Sequence, residues 1–172
     1  MKLFLLLIPF LAFGVTNKQI ENLQLAYKIG KITKAKDGMT FENTLAGIML
    51  TESSARNHRV GDKEKYLVNC SLGIMQVRVQ TARYVAKRVQ MLSWVDSLSN
   101  KRIAHLLLHN AEFSCMIASQ YLKLNYNLAL KKGYKNPLYR AISRYNGGWN
   151  NTEYYERVKK NSKLAKRLKE KR

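Results

Sequence analysis

The chain has 172 residues, enough for one domain with one core, and 46% of them are apolar, which argues against intrinsic disorder. Its formal charge is +20, from 31 Lys+Arg against 11 Asp+Glu. That excess points to a polyanionic partner, whether nucleic acid, an anionic membrane surface or an acidic wall polymer, and by itself does not choose among them.

The N-terminus narrows the choice. Met1-Lys2 precedes the apolar run LFLLLIPFLAFG, which ends in small residues at Ala12 and Gly14. This is the order of a secretory signal over residues 1–14, with cleavage expected near Gly14-Val15. The run is shorter than the ~20 apolar residues of a spanning helix; a buried N-terminal helix is the alternative. Export to the periplasm or cell envelope argues against a nucleic-acid partner. Cys70 and Cys115 are the two cysteines, which in an exported chain form a candidate pair, with buried thiols as the alternative.

The mature chain reads as mainly α. Residues 17–30 place Ile20, Leu23, Ala26 and Tyr27 on one helix face, and the basic turn KITKAKDG leads to a second helix from Phe41 to Glu52. Helical periodicity lapses over residues 55–80. There Tyr66-Leu67-Val68 and Ile74-Met75-Gln76-Val77 predict a small hairpin or extended loops, punctuated by Gly61 and Gly73. Helical spacing returns after Thr81, a candidate N-cap, with Ala82, Val85, Val89 and Leu92 on one face. A short helix over Lys101–Leu108 follows. The next opens at Asn110 and aligns Phe113, Ile117, Tyr121, Leu124 and Leu128. Pro137 suits the first position of another helix carrying Leu138, Ala141, Ile142 and Tyr145, which Asn146-Gly147-Gly148 must stop. From Arg157 to Arg172 there are nine basic residues and one acid, Glu170. This tail is either a solvated helix or an electrostatic tether to an anionic membrane or wall polymer.

Glu52 is the chemically informative residue. Leu45, Ile48 and Met49 recur at helical spacing, and the next position on their face is this carboxylate. Burial there disfavours its charged form and equips it as a general acid; the alternative is a helix-end glutamate turned to solvent. Two further segments follow, Ser71-Leu72-Gly73-Ile74-Met75-Gln76-Val77 and Arg144-Tyr145-Asn146-Gly147-Gly148. In this order and spacing, with the helix Asn110-Ala111-Glu112-Phe113 leading to Tyr121-Leu122, the chain resembles the soluble-type lytic transglycosylases. Their catalytic domain is goose-lysozyme-like, and the resemblance covers roughly residues 40–158.

The resemblance implies a mainly α, lysozyme-like α+β domain over residues 15–158, with a small hairpin or loop region lining a substrate cleft and a basic tail over 159–172. It implies cleavage of the β-1,4 bond between N-acetylmuramic acid and N-acetylglucosamine in peptidoglycan glycan strands, giving a 1,6-anhydro product without consuming water. Glu52 would act first as acid and then as base, with Tyr145 beside it. Ser71, Met75, Gln76 and Asn146 would contact substrate, and Gly73 would allow close backbone approach. Trp94 and Trp149 are candidate sugar-stacking faces, with core packing the alternative. No cofactor or metal is implied. His58, His105 and His109 form no nucleophilic set, and the His105/His109 pair reads as a surface pair. An envelope-spanning secretion machine is a candidate partner.

The chain departs from the family pattern in two places. A longer, charged insert containing Arg59, Asp62, Lys63, Glu64 and Lys65 separates Glu52 from Gly73, and Ser114-Cys115 replaces the usual Asn-Ile. The second departure favours a Cys70–Cys115 bridge. The first leaves open a lysozyme-like hydrolase that uses Asp62 or Glu64 as a second carboxylate.

Overall fold

The computed structural model describes residues 14–62 and 66–170. The expected signal segment therefore lies outside the described residues except for Gly14, as does Glu64.

The described chain is helical, and its order follows local signals. Helix α1 (Asn17–Ile32) opens with a capping box, in which Thr16 Oγ1 accepts from the Gln19 amide (3.2 Å) and Gln19 Oε1 from the Thr16 amide (3.0 Å). Helix α2 (Glu42–Ser53) is buried almost all round, from Thr44 through Leu50. It is thus the central helix of the domain rather than an amphipathic helix with one apolar stripe. Helix α3 (Val79–Ala86) starts before Thr81, and a 3-10 segment (Gln90–Ser97) replaces the continuous helix expected through Leu92. Leu92 is nevertheless fully buried. Helix α4 (Asn100–His109) is capped by Ser99, and α5 (Ala111–Lys131) by Asn110. Phe113 and Ile117 are buried on α5 as expected, but its later core stripe runs through Leu122, Asn125, Tyr126 and Ala129. Helix α6 (Pro137–Tyr145) has Pro137 in its first turn and Asn136 as its cap. Asn151 then caps α7 (Thr152–Glu170), its Oδ1 accepting from the Tyr154 amide at 3.0 Å.

Of the two forms expected here, a small hairpin or extended loops, the segment takes the loop form. Its apolar residues Leu72, Ile74, Met75 and Val77 are all buried, so the segment folds inward as turns and not as a two-faced ribbon. Only isolated antiparallel bridges, Val60 with Leu72 and Leu72 with Val77, tie it together. Residues 67–69 form a 3-10 turn. Gly73 (φ +72°) passes so close to α4 that a Cβ would lie 2.9 Å from the carbonyl carbon of Leu107. The expected disulfide is absent. Cys115 lies in the α5 core, and Cys70 Sγ donates to the Tyr66 carbonyl at 3.7 Å, so both are buried thiols.

Helix α7 runs without a break through residues 158–159, where a basic tail was expected to begin. Tyr154, Val158 and Ala165 are buried, and the helix lies directly along α2. Gly47 makes this contact possible, because a Cβ there would be 2.7 Å from the Val158 carbonyl oxygen and 2.9 Å from the Ser162 nitrogen. Asn161 Nδ2 donates to Thr51 Oγ1 (3.0 Å) one turn further along α2. Gly47→Ala should therefore destabilise the domain by about 1–3 kcal/mol, the usual cost of overpacking. Thermal denaturation would show this as a fall of about 2–4 °C in Tm per kcal/mol.

Candidate active site

Glu52 occupies the last turn of α2, where the buried helix meets a cleft of about 500 Å³. Asp62, Ser71, Gln76, Tyr121, Tyr145 and Asn146 line the same cleft. Ser53 Oγ, on the residue after Glu52, donates to the Ile74 carbonyl (2.7 Å), joining the end of α2 to the turn that carries Gln76.

Tyr154, from the first turn of α7, donates its hydroxyl to Glu52 Oε1 at 2.5 Å. Among the described residues Glu52 accepts no second hydrogen bond. Burial is the largest influence on its carboxyl and raises its pKa above the ordinary glutamate value. The Tyr154 hydrogen bond, Arg157 and Arg59 pull it back down, and the Asp62 charge adds to the rise. Burial and the Glu52 charge in turn push the Tyr154 and Tyr145 hydroxyls well above the usual tyrosine range. Both phenols stay protonated and serve as donors.

Asp62 has the opposite environment. Its Oδ2 accepts from Ser71 Oγ (2.8 Å) and Arg78 Nη2 (3.0 Å), and these bonds hold its carboxyl below the usual range. One cleft therefore carries a carboxyl inclined to keep its proton and another inclined to lose it.

The sequence-derived candidates fall into two groups. Glu52, Ser71, Gln76, Tyr145 and Asn146 share the cleft. Met75 does not line it: the side chain is fully buried, and its carbonyl accepts from the Tyr145 hydroxyl at 2.8 Å. Tyr145 thus anchors the cleft wall, and the hydroxyl bonded to Glu52 is that of Tyr154, which sequence reasoning missed. Gln76, held at φ +49°, donates to the carbonyls of Gly73 (2.8 Å) and Arg59 (3.0 Å) and braces the loop. Asn146 Oδ1 accepts from Asn151 Nδ2 (3.0 Å), linking the end of α6 to the cap of α7.

Neither tryptophan lines the cleft. Trp94 is half exposed beside Phe113, and Trp149 lies under Arg144, whose guanidinium is 4.5 Å from the ring centre. His58 Nδ1 and His109 Nδ1 are 3.1 Å apart, joining the loop after Glu52 to the end of α4.

Comparison with curated proteins and with solved structures gives no match in either. The family model for the transglycosylase SLT domain matches residues 29–168, a span that includes Glu52, every cleft residue named above and Tyr154. The chain therefore belongs to the transglycosylase SLT domain family, whose function is glycan cleavage of the lytic-transglycosylase type, on peptidoglycan, outside the cytoplasm.

Proposed function

We propose that the chain is an exported lytic transglycosylase that cuts the β-1,4 bond between N-acetylmuramic acid and N-acetylglucosamine and leaves a 1,6-anhydro end. The observation that carries this reading is the desolvated Glu52 carboxyl, held through one oxygen by Tyr154 at the wall of a cleft. A raised pKa keeps the acid protonated until the glycosidic oxygen takes its proton. As that C1–O bond breaks, the 2-acetamido oxygen stabilises the positive charge at C1. Glu52, now a carboxylate, accepts the proton of the C6 hydroxyl while O6 bonds to C1. The residue ends the cycle protonated, and no water enters.

Tyr154 acts as the positioning residue, fixing the carboxyl and limiting how far its pKa rises. Tyr145 shapes the muramic-acid side of the wall, and Ser71, Gln76 and Asn146 supply polar groups for the sugars. The positive surface attracts the anionic wall or membrane. Export rests on the apolar N-terminal segment and on the substrate's location.

Asp62 supports a second reading. It is an ionised carboxylate in the same cleft, as a hydrolase needs for a water-activating base or a nucleophile. The favoured reading is that Asp62 braces the loop through Ser71 and Arg78.

Four outcomes are expected. Glu52→Gln should lower lysis of purified peptidoglycan at least about 100-fold, the usual worth of a general acid, and digestion by the unaltered enzyme should yield anhydro rather than free reducing ends by mass spectrometry. Asp62→Asn should cost less than about tenfold, whereas loss of a true second catalytic carboxylate would cost at least about 100-fold. In Tyr154→Phe the Glu52 pKa loses a downward influence and rises. Because each turnover starts from the protonated acid, activity falls as pH rises through that pKa, so the alkaline limb of the pH–rate profile should move to higher pH.

A further inference from the structure

Arg78 stands at the edge of the cleft at Glu52, and further hollows adjoin it. Arg78 lines both the cleft and a neighbouring hollow of about 310 Å³, which shares Val68, Asn69 and Gln80 with a third hollow of about 460 Å³. The third hollow follows α3 and is bordered by Arg83, Tyr84, Lys87 and Arg88, and no acidic residue lines it among the described residues. A row of tyrosines also connects the two ends. Tyr145 contacts Tyr121 (ring centres 5.8 Å apart) and Tyr121 contacts Tyr84 (6.0 Å).

The four cations along this path are not equivalent. Arg78 is paired with Asp62. Arg83 is consumed in structure: its guanidinium bonds the carbonyls of Asp96 (2.8 Å) and Leu98 (2.6 Å) and the side chain of Asn100 (2.8 Å), which fixes α3 to the start of α4. Lys87 and Arg88 are exposed and have no carboxylate partner among the described residues. Arg88 lies over the Tyr84 ring at 3.9 Å, which orients its guanidinium and leaves its charge uncancelled. The far end of this path is thus an aromatic-backed site where, among the described residues, Lys87 and Arg88 carry positive charge that no carboxylate offsets.

We propose that this hollow binds a carboxylate of the peptide branching from the muramic acid held near Glu52. The inference rests on the peptidoglycan reading above and names the part of the substrate that α3 recognises. The lengths agree. At 1.5 Å rise per residue, Lys87 lies roughly 13 Å along the helix axis from Arg78. An extended peptide of four residues spans at most ~14 Å. Such a stem, leaving the cleft at Arg78, reaches Lys87 and Arg88 with its terminal carboxylate, where a guanidinium and an ammonium offer charge-assisted hydrogen bonds.

The test measures binding of the Glu52→Gln protein to fluorescently labelled glycan strands at low salt, once with intact stem peptides and once after an amidase has stripped them. Stem-bearing strands should bind about tenfold tighter, the equivalent of two exposed ion pairs near the upper end of their range. In Glu52→Gln/Lys87→Ala/Arg88→Ala the two strand forms should bind alike. Equal binding of both forms by Glu52→Gln alone, or a preference that survives the added substitutions, would overturn the inference and leave the peptidoglycan reading intact. An equal loss for both strand forms on top of a retained preference would point to general electrostatic attraction, as for a wall polyphosphate, and would also overturn it. Binding of neither form would remove the peptidoglycan reading itself.

Discussion

The site depends on one hydrogen bond between two helices far apart in sequence. Glu52 ends α2, Tyr154 begins α7, and their 2.5 Å contact requires the two helices to lie side by side at that end. They do so because α2 presents Gly47 to the α7 backbone and because Asn161 reaches Thr51 from the facing turn. The basic C-terminal segment is therefore a structural wall of the candidate site. Its exposed side carries the positive charge, and its buried side, through Tyr154 and Val158, aligns the acid.

The position of Glu52 is a balance of opposing influences. Desolvation at the end of a buried helix favours the protonated carboxyl, whereas the Tyr154 hydroxyl and the Arg157 and Arg59 charges favour the carboxylate. On the proposed mechanism, a residue that gives a proton and then takes one back benefits from neither extreme. Fully apolar surroundings would make it a poor donor, and a full set of donors would make it a poor base. Asp62, in the same cleft, shows the second extreme, with two donors on one oxygen. The contrast between these carboxyls supports the different roles proposed for them.

Much of this was legible in the sequence, and the failures share a cause. Glu52 stood out because a charge interrupted an otherwise apolar helix, and the helix starts at Asn110 and Pro137 followed from their capping chemistry. The alternation of the Ile74–Val77 run allows a small hairpin or extended loops, and positive φ at Gly73 and Gln76 turns it inward until both Ile74 and Met75 are buried. Tyr154 was overlooked because Glu153, Glu156, Arg157, Lys159 and Lys160 surround it. In such a charged stretch the Tyr154/Val158 pair, four residues apart, was the one signal of a buried face. Pairing Cys70 with Cys115 followed from counting, and counting carries no geometry. In each case the deciding contact came from a distant segment, which local periodicity does not record.

The loop after Glu52 brings in α1, most of which precedes the family match that begins at residue 29. Ser54, Ala55, His58 and Asp62 all have positive φ, a conformation that costs a non-glycine residue roughly 1–2 kcal/mol. Something must hold them there, and for the first two it is α1, while His58 meets His109 and Asp62 is held by Ser71 and Arg78. Gln19 Nε2 donates to the Ser54 carbonyl (2.8 Å), and the buried Asn22 Nδ2 donates to the Ala55 carbonyl (2.9 Å) and to Asn57 Oδ1 (3.1 Å). The strain is concentrated where α2 must end abruptly so that Glu52 faces the cleft and Asp62 returns to its rim. Residues that never approach the cleft thus set the direction of the chain leaving the acid, and the first helix of the domain belongs to the active centre as a brace.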